Sequence, residues 1–133
     1  MPSTSTVTAS PSGSLVIKAF DAGTISAGAA FNFRPPVYSN NIVLTTSKVT
    51  LNDSGYYKVV VRTPTFSIGD SYAVFMNNQS VAGFTLDCPG NNLFRGILHV
   101  QTTASFLTLV NRSVSTKSTA DGDGVYFEVV KIN

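Results

Sequence analysis

Charge is what this chain has least of. Asp, Glu, Lys and Arg make up 12% of its 133 residues, about half the share of an ordinary globular protein. Nine Lys and Arg against seven Asp and Glu leave a net +2. The cations are scattered, so there is no basic stripe and nucleic acid is not an expected partner. Cysteine is nearly absent: with Cys88 alone, neither an intrachain disulfide nor a thiolate metal cluster can form. His99 is the single histidine, and the spacing offers it no partners for a catalytic triad or a histidine metal site. Residues 1–13 lack the basic start and apolar core of a signal peptide. No apolar run approaches the length that spans a bilayer. A soluble chain with no membrane insertion is therefore expected. No Gly-rich phosphate loop and no paired catalytic carboxylates stand out, so neither an enzyme nor a cofactor is expected.

What fills the chain is Ser, Thr and Asn for polarity, with β-branched and aromatic residues for the apolar part. That balance favours strands with hydroxyl and amide surfaces. The most informative run is Ser54-Gly55-Tyr56-Tyr57-Lys58-Val59-Val60-Val61, entered through Asn52-Asp53. A turn cluster feeds a strand whose Tyr57, Val59 and Val61 share one face. Further strands are expected at 15–20, 30–34, 42–45, 48–51, 71–77, 79–85, 93–101, 104–111 and 124–132. Pro35-Pro36, Asn40-Asn41, Cys88-Pro89-Gly90-Asn91-Asn92 and Asp121-Gly122-Asp123-Gly124 punctuate the gaps. No window of a dozen residues holds a 3.6-residue apolar period. About ten short strands at this spacing mean an all-β sandwich or barrel. The Ser/Thr/Pro-rich residues 1–13 read as a flexible arm, and 14–133 as one domain.

Several local motifs have plainer readings. Asp121 and Asp123 beside glycines suggest calcium. The EF-hand register fails, however, because its first and twelfth positions fall on Thr119 and Val130, and a turn is the favoured reading. Three glycosylation sequons begin at Asn52, Asn78 and Asn111. In so Asn- and Ser-rich a chain they read as turns. Cys88 reads as an inert, partly buried thiol, and His99 as a structural or surface residue. Tyr38, Tyr56, Tyr57, Tyr72 and Tyr126 could stack on sugars, although strand aromatics more often serve core or interface.

Four segments in order resemble the C1q/tumour-necrosis-factor (TNF) jelly roll, and most closely the C-terminal domains of Bacillus exosporium collagen-like glycoproteins. They are Ala19-Phe20-Asp21-Ala22-Gly23-Thr24-Ile25-Ser26, Ser54-Gly55-Tyr56-Tyr57-Lys58-Val59, Tyr72 to Gly83, and Glu128-Val129-Val130-Lys131-Ile132. The resemblance covers residues 15–133. It implies an all-β, two-sheet jelly-roll sandwich and a homotrimer whose inner sheet wraps a threefold axis. By motif order that sheet would use 14–20, 55–63, 104–111 and 124–132.

Periodicity agrees with a second, contacting face on those strands. Opposite the core positions stand Tyr56, Lys58, Val60 and Arg62 on one strand. Phe106 and Val110 do so on another, and Tyr126, Glu128 and Val130 on the last. This set is too apolar for open water and too charged for a core, which suits a subunit interface. Glu128, the only glutamate, needs Lys58 or Arg62 within reach. The expected function is a noncatalytic homotrimeric surface module: a structural or attachment component of a spore surface layer or of a virion (decoration, spike or fibre head). Residues 1–13 would join it to the larger particle. The alternative is a carbohydrate-binding lectin or a head that binds a host receptor, with glycan-contacting residues unassigned.

Overall fold

The computed structural model describes residues 13–63, 71–87, 93–113, 117–119 and 124–133; the side chains of 86, 87, 118, 119 and 124 are outside the description. Cys88, Asp121, Asp123 and residues 1–12 of the expected arm lie outside the described residues. Every regular element among the described residues is a strand. In chain order these are β1 (Ser14–Ala19), β2 (Gly23–Ile25), β3 (Tyr38–Asn40), β4 (Ile42–Thr45), β5 (Lys48–Leu51) and β6 (Gly55–Arg62). Then come β7 (Ser71–Met76), β8 (Gln79–Asp87), β9 (Leu93–Val100), β10 (Ser105–Asn111), β11 (Lys117–Thr119) and β12 (Gly124–Lys131). One five-stranded sheet runs β3-β1-β12-β6-β9, and the second runs β4-β5-β10-β7-β8. All the pairings are antiparallel, and β2 and β11 form a separate ribbon. This is the expected jelly-roll sandwich.

Alternation builds the core between the sheets. Tyr57, Val59 and Val61 of β6, Leu107 and Leu109 of β10, and Phe127 and Val129 of β12 are all essentially inaccessible. Residues 30–34 are not a strand. Pro35-Pro36 has no N–H groups for a ladder, and the segment pairs only through bridges at Ala30 and Phe33. Its alternation still buries Phe31 and Phe33. Both lie against Phe20, with ring centroids 5.1 and 5.8 Å away. Phe31 meets Tyr72 and Phe33 meets Phe127, each at 5.6 Å, so this segment joins the two sheets.

Asparagines make the turns. Asn77 and Asn78, with φ of 53° and 66°, form the two-residue link of the β7–β8 hairpin, a geometry that asparagine tolerates. The Asn77 carboxamide also accepts from Phe106 N–H at 3.0 Å, extending the β7–β10 ladder. Asn111 is completely buried. Its Nδ2 donates to the Ile25 carbonyl at 3.1 Å, and its Oδ1 accepts from Ser113 N–H at 3.0 Å. This sequon is thus a structural clamp. Gly13 is buried and belongs with β1: its carbonyl accepts from Lys131 N–H at 2.8 Å.

The strand at 104–111 corrects the expected inner sheet. β10 lies between β5 and β7 in the second sheet, and β9 takes the fourth place beside β6. Phe106 and Val110 therefore do not share a surface with the other expected interface residues. Thr108 and Val110 are already 95% buried within a single chain. Phe106 is partly covered, with the Lys48 ammonium 4.6 Å from its ring centroid. Motif order along a chain does not dictate strand pairing, and an apolar outer face can be covered by the chain itself.

Candidate functional site: the outer face of the first sheet

The outer face of the β3-β1-β12-β6-β9 sheet collects the rest of the expected set. Register places its side chains in rows across the strands. Asn40, Ser14, Val130, Lys58 and Ile97 make one row; Tyr38, Val16, Glu128, Val60 and Arg95 make the next. Beyond these, Tyr126 faces Arg62, which faces Leu93; at the other end Tyr56 faces His99. Tyr56, Lys58, Val60, Arg62, Tyr126, Glu128 and Val130 are thus brought together as the alternation predicts.

The face is unusually apolar for an exposed one. Tyr38 (54% exposed), Ile97 (55%), Tyr56 (42%) and Leu93 (38%) are four of the chain's seven exposed large hydrophobic residues among those described. Sequence reasoning named Tyr38 and His99 without assigning them to this face, and missed Leu93, Arg95 and Ile97. The signal was available in 93–100, where both alternating sets carry apolar residues, as they do in β6.

Polar contacts thread this surface. The Lys58 ammonium lies 3.6 Å from the Glu128 carboxylate, with the two side chains 47% and 22% exposed. In the isolated subunit so open a pair is worth under about 1 kcal/mol. The Tyr126 phenol is hydrogen-bonded to Glu128; partial desolvation, then the Glu128 charge, holds its pKa above the ordinary tyrosine value, while Arg62 opposes the shift. Tyr56 and His99 stack at 4.3 Å and 9°, an aromatic pair at the end of this face. Among the described residues, no three His, Cys, Asp or Glu side chains converge to hold a metal ion. Between β6, β9 and β12, a shallow depression of about 150 Å³ is lined by Val60, Arg62, Leu93, Arg95 and Tyr126.

No family model matches this chain, and no curated protein matches it. Solved structures do. Murine APRIL at pH 8.0 superposes with a TM-score of 0.68 at 13% identity, over 92% of this chain and 100% of that one. The pH 8.5 structure of murine APRIL gives 0.68 at 14% identity, and the pH 5.0 structure 0.64 at 14%, with the same coverage. APRIL is a TNF-family protein. The likeness is one of fold: this chain folds as a C1q/TNF-like jelly roll.

Proposed function

We propose that this chain is a noncatalytic surface module that self-associates through the outer face of its β3-β1-β12-β6-β9 sheet. The observation that carries the reading is the concentration of exposed Tyr38, Tyr56, Leu93 and Ile97 on that one face. A soluble domain rarely leaves such a patch open unless something covers it. Glu128 is compatible with that reading, because its pairing with Lys58 offsets part of the cost of covering its charge.

The resemblance to the C1q/TNF jelly roll favours a trimer over a dimer. The arm that precedes Gly13 then acts as a tether to a larger particle, either a spore surface layer or a virion, where the trimer is a decoration, spike or fibre head. Sedimentation of the intact protein, followed by a glycan array on the oligomer, tests this. A trimer that leaves the array silent is the expected result. Selective, saturable glycan binding would point to the lectin reading instead, and a monomer at micromolar concentration would remove the self-association reading.

A further inference from the structure

The proposed contact face has a charge imbalance that burial of apolar area does not solve. Among the described residues its outward side chains include Lys18, Lys58, Arg62 and Arg95, with one carboxylate, Glu128. Glu128 is already engaged with Lys58 and Tyr126. No carboxylate among the described residues comes within salt-bridge reach of Arg62 or Arg95. Both arginines line the depression, with Val60, Leu93 and Tyr126 as its remaining wall.

The described residues of a second copy bring no uncommitted carboxylate to this face. Of the acidic side chains described, Asp21 accepts from Ala22 N–H at 3.1 Å, and Asp53 accepts from Asn41 Nδ2 at 2.8 Å. Glu128 would arrive with its own partners. Covering an unpaired guanidinium leaves a penalty of several kcal/mol per charge. An oxyanion removes that penalty, because the planar fork of arginine matches a carboxylate through paired hydrogen bonds. The surroundings select among oxyanions. The aliphatic Val60 and Leu93 and the Tyr126 ring suit a carboxylate carried on a short carbon skeleton better than a fully hydrated inorganic ion. A space of about 150 Å³ admits a molecule of roughly benzene size.

We propose that this depression binds a small organic carboxylate through Arg62 and Arg95, and that its occupation promotes association across the face. The site rests on residues of one chain; the coupling rests on the self-association reading above. A ligand that prefers the assembled state shifts assembly by mass action.

The test is sedimentation equilibrium of the full chain in a buffer with chloride as the sole anion. Succinate, or its uncharged diamide, is added at matched ionic strength, with calorimetry for binding. Succinate should bind and shift the protein toward trimer, while the diamide does neither. Arg62→Gln and Arg95→Gln should each weaken succinate binding about tenfold or more, the loss expected from a charge-assisted pair. Lys48→Gln, on the second sheet, should change nothing. A monomer that binds succinate through both arginines keeps the site and sinks self-association. A trimer indifferent to succinate does the reverse, and assigns the neutralising carboxylate to the protein itself. If Arg95→Gln tightens association in chloride alone, the arginines merely repel one another and the proposal is overturned.

Discussion

Ile97→Thr is the sharpest probe of the outer face. Ile97 is 55% exposed on β9, opposite Lys58 of β6. Threonine keeps the β-branch and thus the strand preference, so the fold should be untouched, with a stability change within about 0.5 kcal/mol. Fully burying an isoleucine side chain contributes about 1.5–3 kcal/mol. The half still exposed in the subunit is therefore worth roughly 0.8–1.6 kcal/mol per copy on association. Threonine retains one methyl group, so the lower end applies. Over three copies the loss is about 2 kcal/mol, or roughly thirtyfold in the trimer association constant. Val43→Thr is the matched control: Val43 is 51% exposed, but on β4 of the second sheet. Sedimentation equilibrium across a dilution series reads both variants against the parent. Equal shifts for the two would refute the assignment of the interface to this face.

Other perturbations test the framework. Asn111→Ala should cost about 2–3 kcal/mol in chemical denaturation, because it leaves the Ile25 carbonyl and the Ser113 N–H without their buried partner. Gly55→Ala should destabilise more than Gly28→Ala. Both glycines have positive φ, +141° and +86°. Only at Gly55 would a Cβ collide with the Asn133 carbonyl oxygen and lie 2.8 Å from Lys131 Cε, whereas at Gly28 it meets nothing. A midpoint shift of equal size in the two variants would show that backbone conformation alone matters.

Alkaline stability should follow Tyr57. Desolvation, reinforced by the charge of Asp53, raises its pKa above 10.0, against a lowering hydrogen bond to the Asp53 backbone. A pKa raised in the folded state gives a contribution fully present below the unfolded value, and lost as pH rises through the folded one. Stability should thus fall above about pH 10, and Tyr57→Phe should flatten that fall. An unchanged slope in the variant would assign the alkaline transition to another group.

Much of this protein was legible from residue order. Alternation on 55–63 and 124–132 separated Tyr57, Val59, Val61, Val125, Phe127 and Val129 from the outward set, and all six are buried. A period of two forces that separation whichever neighbour a strand acquires. Asn77-Asn78 was legible as a turn for an equally local reason, the tolerance of asparagine for positive φ. The need of Glu128 for a cation was also legible, because a lone carboxylate among apolar neighbours has few alternatives. Lys58 answers it from the adjoining strand, one row away.

Which strands lie side by side was decided only in three dimensions. Residues 104–111 and 93–100 both carry apolar residues on both faces, and nothing local says which of them adjoins β6. Pairing depends on contacts far apart in sequence. It put β10 at the centre of the second sheet and β9 at the edge of the first. That exchange removed Phe106 and Val110 from the outer face and brought in Arg95 and Ile97. The depression with its two arginines exists for the same reason: Arg62 and Arg95 are 33 positions apart in the chain, and only the β6–β9 register makes them neighbours. Periodicity assigns a side chain to a face, whereas long-range strand pairing determines what else shares that face.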